Sequence, residues 1–297
     1  MRILFVTSSR IGDAVLSTGL LDHLIRKYPA SRITIVCGPV AEGVFLRMPN
    51  LERLIAIEKQ PYGRHWLALW AATVGTMWDL VVDIRASALS WLVPTRRRAV
   101  MRKRPGHKTE QLAAILRLSP APLPVAWTAP ADRARAADLL PAGTPLIALG
   151  PTANWSGKVW PAERFVALYQ ALATGPLAGA RAVVLAGPGA AERALAAPVL
   201  AALPGAADLC GALSLPEAAA VLARAALFVG NDSGLMHLAA AAGTPTLGLF
   251  GPTPVAEYAP AGRCTAVAVA RGPAMTDLSV ADALAAATRL VSLARAA

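Results

Sequence analysis

The sequence is poor in cysteine, in aromatic residues and in acidic residues. Its three cysteines, Cys37, Cys210 and Cys264, are odd in number and far apart, so we expect neither a disulfide framework nor a CxxC metal site, and a reducing cytoplasm fits best. No run of about 18 apolar residues occurs, and polar residues from Thr7 onward interrupt the first apolar stretch, so we expect no membrane span and no export signal. Because 55% of the residues are hydrophobic but only 5% are aromatic, helices packed on sheets are favoured over disorder or an all-β design.

Acidic residues are scarce mainly in the first half of the chain. Residues 1–126 hold 18 Lys and Arg against 8 Asp and Glu, whereas the remainder holds 11 against 10. A basic field of this kind attracts polyanions, and phosphorylated lipid, nucleic acid and a membrane surface are all candidates. No RNP, KH or zinc-finger pattern is present, so a nucleic-acid-binding module explains the charge but nothing else in the sequence.

Short β-rich runs alternate with longer Ala- and Leu-rich segments, as in βαβ units whose helices cover a parallel sheet. At 297 residues the chain is about twice the usual domain length, which predicts an α/β protein with domains at 1–125 and 126–278 and a final helix at 279–297 that packs back toward the first domain. Six prolines between Pro120 and Pro145 disfavour helix and central strand, so the linker is expected there. The predicted strands are Arg2–Thr7, Arg32–Val36, Arg53–Ile57, Leu80–Ile84, Leu146–Leu149, Ala182–Ala186, Leu227–Val229 and Thr246–Phe250.

The most informative segment runs from Leu227 to Thr253. A buried strand ends at Gly230, a polar turn follows, and a helix of small residues begins near Ser233. Asp232 or Ser233 is expected to cap this helix, and a glycine at the next position lets a ligand approach the backbone amides at the positive helix end. The pattern predicts a diphosphate pocket, although an ordinary capped helix with a buried His237 fits it too.

A second informative stretch runs from Gly150 to Phe165. It follows a strand and precedes a helix whose start is marked by Pro161, so it forms a loop at a strand's carboxyl end, where open α/β sheets bind ligands. Lys158 would place a positive charge beside the phosphates. The alternative is a solvated surface lysine, but two flanking tryptophans and several Gly and Pro residues make that loop unusual.

The third stretch, Thr7–Thr18, comes directly after the first strand. Gly12 allows a tight turn, and the spacing differs from GxGxxG, so this domain is not expected to hold NAD. Asp13 stands at the start of the next helix. It is either a helix cap or a carboxylate base that points into a cleft between the domains.

Together these stretches resemble glycosyltransferase family 9, which includes the lipopolysaccharide heptosyltransferases. The likeness rests on Ile11-Gly12-Asp13, on Lys158-Val-Trp160-Pro161, on Gly187-Pro188-Gly189 and on Asn231-Asp-Ser-Gly-Leu-Met-His-Leu-Ala239. It implies a GT-B fold, in which two Rossmann-like domains face one another across a cleft, with the acceptor on the first and the nucleotide-sugar donor on the second. This chain departs from the family in having Gly19 where many members have proline and Ser233 where threonine is common, and in lacking a cysteine-bearing segment near the C-terminus.

The resemblance also implies roles for individual residues. Asp13 resembles the general base and Lys158 the lysine that contacts phosphate, while Glu217 is one position for the glutamate that contacts the donor ribose. The remaining donor-site residues implied are Thr152, Asp232, Ser233, Gly234, Leu235 and His237. The acceptor-binding residues expected are Ser9, Arg10, Gly12, Arg96, Arg97 and Arg98.

The reaction implied is a single displacement that inverts the anomeric carbon. No Asp-x-Asp triplet is present and the histidines are scattered, so we expect no metal and no cofactor. The expected donor is ADP-heptose and the expected acceptor an acidic glycolipid of the lipopolysaccharide core, with the protein a monomer. Two alternatives stay open: a nucleotide-sugar epimerase or hydrolase of the same fold, and a non-catalytic nucleotide- or polyanion-binding relative.

The basic run Thr95–Lys108 lies in the expected acceptor domain. We interpret it as a contact for a phosphate-bearing glycolipid or for anionic headgroups on the cytoplasmic face of the inner membrane, and a merely solvated loop is the alternative. Nearby, the spacing of Trp66, Trp70, Val74 and Trp78 indicates one helix face. A buried core stripe is favoured for that face over a membrane interface.

Overall fold

The structure, a computed structural model, describes residues 1–58, 60–140 and 142–296. The chain divides into two units, Met1–Trp127 and Thr128–Ala297. Each unit carries one sheet in which all paired strands are parallel. Within the described ranges, no helix combines the length and the apolar character needed to cross a bilayer.

The first unit has a five-stranded sheet in the order β3-β2-β1-β4-β5. Its central strand is buried over Ile3–Val6, as expected for a strand covered on both faces. From β1 the chain first builds β2 and β3 on one side and then returns to add β4 and β5 on the other, so the connection reverses between β1 and β4. The elements are β1 (Arg2–Val6), α1 (Ile11–Lys27), β2 (Arg32–Cys37), β3 (Leu51–Ala56), α2 (Arg64–Val74), β4 (Leu80–Asp83), α3 (Leu89–Leu92), β5 (Arg98–Val100) and α4 (Lys108–Ala113), with short 3-10 turns at Pro39–Val44, Pro61–Gly63 and Ala114–Leu116.

The packing of this unit explains why position 19 is a glycine. A Cβ at this position would lie 2.5 Å from the carbonyl oxygen of Pro122, so only glycine lets the segment after α4 pack directly on α1. The same segment is held by the Val125 backbone N–H, which donates to Thr18 Oγ1 at 2.8 Å. The departure from proline at position 19 therefore reflects close backbone packing.

The second unit has a six-stranded sheet in the order β11-β10-β9-β6-β7-β8. Here the reversal falls between β6 and β9, since β7 and β8 extend the sheet on one side of β6 before the chain returns to add β9. The elements are α5 (Pro130–Leu139), β6 (Leu146–Gly150), α6 (Ala162–Thr174), β7 (Arg181–Val184), α7 (Ala190–Ala202), β8 (Ala207–Asp208), α8 (Leu215–Leu222), β9 (Leu227–Asn231), α9 (Gly234–Ala241), β10 (Thr246–Phe250), α10 (Val255–Tyr258), β11 (Thr265–Val269) and α11 (Val280–Ala296), with 3-10 turns at Ser156–Lys158 and Met275–Asp277.

The proline-rich stretch contains a helix, although its density of prolines disfavoured one. Helix α5 begins at Pro130, where the missing N–H costs nothing, and Asp132 Oδ2 accepts from the Ala129 backbone N–H at 2.7 Å. No proline follows inside the helix. The prolines therefore mark the ends of this segment and do not prevent it from being helical.

Helix α11 belongs to the second unit. Ala283, Ala287 and Leu290 are fully or almost fully buried in that unit's core, and the helix packs against α6, β10 and β11. The apolar stripe of the last segment is therefore covered within its own unit.

The stripe of Trp66, Trp70, Val74 and Trp78 is not one buried face, so that interpretation was wrong in part. Helix α2 ends at Val74, and Trp78 lies beyond it in the core below α2, with its indole N–H donating to Thr73 O at 3.0 Å. Trp66 is partly buried against the same core, whereas Trp70 is exposed. A glycine at position 75 breaks the helical period, and this separates the last tryptophan from the others.

Candidate active site

The best-formed polar site lies in the second unit, beyond the carboxyl ends of β6 and β9. These neighbouring strands flank the reversal of the sheet, which is where open parallel sheets bind ligands. Gly150 and Gly230 face each other in register across the two strands. A Cβ on either residue would lie within 2.7 Å of the Phe228 ring, so both strand ends must lack side chains here.

The loop after β6 is fixed by Trp160. This side chain is completely buried, its backbone N–H donates to Asn231 Oδ1 at 3.1 Å, and its indole N–H donates to Leu278 O at 3.0 Å. The ring also makes an edge contact with Phe165 at a centroid distance of 5.2 Å. Because Trp160 is anchored at both ends, the loop that precedes it is held against the turn after β9.

Lys158 meets Asp232 across this junction. Its Nζ lies 2.7 Å from Asp232 Oδ2, and the exposed fractions of the two side chains are 19% and 6%. On the other carboxylate oxygen, His237 Nε2 lies 3.9 Å from Asp232 Oδ1, as expected from its position one turn into α9. Lys158 is therefore an ordered, partly buried cation and not a freely solvated one.

The start of α9 differs from the sequence expectation in one respect. Ser233 is the N-cap residue, but its side chain makes no capping hydrogen bond, and no cap is formed by Asp232, which pairs with Lys158. Within the described part of the chain, the buried Ser233 Oγ and Asn231 Nδ2 have no hydrogen-bond partner. Buried polar atoms without partners are costly, by about 1–3 kcal/mol each, and a ligand at this point could pair with them.

Gly234 and Leu235 form the first turn of α9, which leaves backbone N–H groups directed toward its N-terminal end. These donors, the helix dipole and the Lys158 ammonium converge on the region above β9. Such an arrangement favours a phosphate or diphosphate.

Other residues expected at the donor site take varied positions. Thr152 is buried at the carboxyl end of β6, beside the glycine pair. Glu217 caps α8 together with Ser214, whose Oγ donates to Glu217 Oε2 at 2.7 Å. These hydrogen bonds lower the pKa of Glu217. Glu217 thus has a structural role, and its contact with a donor ribose stays a prediction.

Two groups at this edge of the sheet had no role predicted from the sequence. Asn231 receives the Trp160 N–H, and the carboxylate of Glu192 accepts from the Gly187 backbone N–H at 3.3 Å after β7. Asn231 could have been found from its place beside Asp232. Glu192 could have been found as the first-turn acid that follows the Gly187-Pro188-Gly189 turn.

In the first unit, Asp13 lies at the corresponding edge, beyond β1. It is the third residue of α1 and is half-buried, and it accepts from Ser8 Oγ at 3.3 Å. Arg10 occupies the N-cap position, and no side-chain capping bond is present there, so the capping explanation of Asp13 is wrong. Ser9 and Arg10 are exposed beside it, and Gly12 lies in the same first turn.

A second, fully buried carboxylate shapes this edge at the end of β4. Asp83 accepts from the Arg85 and Ser87 backbone N–H groups, both at 2.8 Å, and from Ser87 Oγ at 2.6 Å. It holds a turn in which Ala86 has a φ of 52°. The turn fixes the chain after β4 next to the loop after β1.

The basic run follows the edge strand β5 from the amino edge of the sheet to its carboxyl edge. Arg96 pairs with Asp79 at 3.3 Å, and Asp79 also accepts from the Arg2 backbone N–H, so Arg96 lies at the amino end of β1, about 16 Å of strand away from the Asp13 edge. The structure therefore does not bring Arg96 to Asp13. Residues Arg102–Arg104 follow β5 and emerge at the carboxyl edge.

Two parallel α/β units, each with polar loops at the reversal of its sheet, define a protein built from two Rossmann-like units. The model of the family "Glycosyltransferase family 9 (heptosyltransferase)" matches residues 109–286. Lipopolysaccharide heptosyltransferase 1 of Pseudomonas aeruginosa is 32% identical over 292 residues, which cover 85% of this chain and 79% of that protein. The chain belongs to glycosyltransferase family 9, and it is a glycosyltransferase.

Solved structures share the fold. The glycosyl transferase family 9 protein from Veillonella parvula has a TM-score of 0.82 at 22% identity, with 98% of this chain and 97% of that chain covered. The Escherichia coli ADP-heptose lps heptosyltransferase II has a TM-score of 0.78 at 21% identity, with 99% and 100% covered. The likeness of the fold thus extends over nearly all of the chain.

Proposed function

We propose that this enzyme transfers heptose from ADP-heptose to an acidic glycolipid acceptor of the lipopolysaccharide core, with inversion at the anomeric carbon. The observation that carries the proposal is the site of Lys158, Asp232 and the N-terminus of α9, which suits a nucleotide diphosphate. The names of two relatives supply the sugar and the acceptor: one is a lipopolysaccharide heptosyltransferase and another an ADP-heptose enzyme.

In the proposed donor complex, the diphosphate lies over the start of α9. The Gly234 and Leu235 amides and the Ser233 hydroxyl donate to its oxygens, and Lys158 balances their charge. Asp232 holds Lys158, while His237 packs on the other side of the same carboxylate. As the glycosidic bond breaks, negative charge grows on the leaving diphosphate, and these fixed donors stabilise it more than they stabilise the ground state.

In the proposed mechanism, Asp13 accepts the proton of the attacking acceptor hydroxyl. The hydroxyl oxygen forms a bond to the anomeric carbon while the bond to the diphosphate breaks on the opposite face, so one displacement inverts the configuration. Ser8 Oγ lies 3.3 Å from Asp13 Oδ2 and orients the carboxylate. General-base catalysis of this kind contributes about 10²–10⁴ in rate.

The acceptor is proposed to bind at the edge that carries Ser9, Arg10 and Gly12. Phosphates on the acceptor would pair with basic residues that emerge at this edge after β5, of which Arg102 is the first. The enzyme is proposed to be a metal-independent monomer in contact with the cytoplasmic face of the inner membrane. Full dependence of purified enzyme on magnesium after chelation would contradict the metal-independent mechanism.

The first experiment is a thermal-shift titration of the protein with ADP, GDP, UDP and CDP. We expect a selective shift with ADP that is weakened in Lys158→Ala and Asp232→Ala. Lys103→Ala, at an exposed position of the first unit, is the matched control and should keep the shift. An equal response to all four nucleotides, or to none, would overturn the assignment of the donor.

Product analysis then separates transfer from the alternatives. With ADP-heptose and a heptose-free core acceptor, a transferase releases ADP only as the acceptor gains mass. An epimerase would isomerise the donor without acceptor, and a hydrolase would release free heptose. In the Asp13→Asn variant, kcat should fall by a factor of about 10²–10⁴. The thermal shift that ADP causes should be the same as in the wild type.

A further inference from the structure

The outer side of α2 and α3 carries a group of exposed apolar side chains, which we call the α2/α3 patch: Leu67, Trp70, Trp91 and Leu92. Leu67 and Trp70 are one turn apart on α2, and the Trp70 indole N–H donates to Leu92 O at 3.0 Å, which joins the two helices. The exposed fractions of Leu67, Trp91 and Leu92 are 67%, 67% and 61%. Contiguous exposed apolar surface of this kind marks an interaction site.

The patch is bordered by arginines. The Arg98 guanidinium stacks on the Trp91 ring at 4.6 Å and its Nε donates to Ser90 O, while Arg85 lies 5.3 Å from the centre of the Trp66 ring. Neither arginine forms an ion pair with a carboxylate in the part of the chain that the structure describes. Their charges are therefore not neutralised within the protein.

The sequence around the patch is strongly basic. Residues 60–109 contain nine Lys and Arg against two acidic residues, Asp79, which pairs with Arg96, and the fully buried Asp83. Two copies of this surface would repel each other, which argues against a dimer contact. Exposed tryptophans combined with uncompensated arginines match the interface of an anionic bilayer, where the aromatic rings lie at headgroup level and the cations bind phosphate.

We propose that the α2/α3 patch docks the enzyme on an anionic lipid bilayer, with Leu67, Trp91 and Leu92 inserted among the headgroups. The proposal rests on the proposed function, since it identifies the surface that makes the membrane contact. Strand β5 begins beside the patch and ends at the edge where Asp13 lies. Docking there would bring a membrane-anchored acceptor toward that edge.

The test is sedimentation of the full chain with sucrose-loaded vesicles of phosphatidylcholine, with or without 30 mol% phosphatidylglycerol. We expect binding to the anionic vesicles that weakens with salt, and at least a tenfold lower partition coefficient for Leu67→Gln/Trp91→Gln/Leu92→Gln. Val40→Gln/Leu46→Gln/Leu293→Gln removes three apolar side chains that are exposed elsewhere and should bind as wild type does. Arg85→Gln/Arg98→Gln should lower the partition coefficient about 25-fold, at roughly fivefold per charge.

Brominated lipid provides a second measurement. Trp91 fluorescence should be quenched in anionic vesicles, and Trp91→Phe should lose that part of the quenching. Equal vesicle binding by the patch variant and the apolar control would overturn the proposal, as would wild-type protein that ignores anionic lipid. Loss of self-association in the patch variant, measured by ultracentrifugation, would overturn it in favour of a second copy of the chain.

A water-soluble acceptor separates this proposal from the proposed function. The patch variant should transfer heptose to an acceptor without acyl chains as fast as wild type does, because its altered side chains lie outside the site. If wild type transfers no sugar to any acceptor but docks on vesicles through the patch, the proposed function fails and the docking surface stands. If transfer occurs but the patch variant docks normally, the docking surface fails alone.

Discussion

The contact between Lys158 and Asp232 allows a quantitative prediction. At 2.7 Å and an effective dielectric constant of 20, the attraction between the two charges is about 6 kcal/mol. Desolvation of each ion offsets several kcal/mol of this, and more for Asp232, which is the more buried partner. We therefore expect a net coupling free energy of about 1–3 kcal/mol between the two side chains.

A double-mutant cycle of Lys158→Met and Asp232→Asn measures this coupling. Lys158→Met should lower the free energy of unfolding by about 2–3 kcal/mol, because it leaves a buried carboxylate without its cation. Asp232→Asn should cost less, about 1 kcal/mol, since the lysine can turn toward solvent. Urea unfolding of the four proteins, followed in the transition of the second unit, should show that the double variant loses less than the sum. If the sum of the two single effects equals the effect of the double variant to within about 0.5 kcal/mol, the reasoning is refuted.

Three further changes test the surroundings of the site. Trp160→Ala should lower the free energy of unfolding by about 3–5 kcal/mol in urea, because it removes a fully buried ring and its bond to Leu278; a loss below 1 kcal/mol would contradict the anchoring role. Gly230→Ala should lower the free energy of unfolding by about 1–3 kcal/mol, because its Cβ would clash with Phe228. Gly205→Ala is the control and should not destabilise the protein, since a Cβ there meets nothing within 4 Å. Equal effects of the two variants would count against the clash. Glu217→Ala should cost about 1 kcal/mol at pH 7 by loss of the cap. Because hydrogen bonds from Ser214 lower the pKa of Glu217, this difference should persist through the ordinary range of a glutamate carboxyl and vanish only as the pH falls through the lowered pKa; an ADP affinity that drops as well would show a donor contact.

The sequence predicted most of the parallel framework. Strands Arg2–Val6, Leu80–Asp83 and Thr246–Phe250 were found to within one residue, because buried parallel strands are short, continuous β-branched and apolar runs. The short edge strands β5, β8 and β11 were not found. Edge strands are partly exposed, and β5, with one arginine among three residues, shows no period.

The site was predictable in composition but not in its contacts. Residue order places Lys158 and Asp232 after adjacent strands, yet their ion pair depends on Trp160 and Asn231, whose pairing joins positions 71 residues apart. Local patterns likewise suggested a cap for Asp13 and Ser233 that neither makes. Long-range packing decides such cases, and one sequence carries no direct record of it.

The bond from the Trp160 indole to Leu278 has a consequence for synthesis of the chain. Strands β6 and β9, with Lys158 and Asp232 beyond their ends, leave the ribosome well before position 278. Until that carbonyl has been made, the loop that carries Lys158 lacks one of its two anchors. A nascent chain therefore orders the Lys158 loop only after position 278 has been made, and products truncated before Leu278 should lack that order even though Lys158 and Asp232 are present.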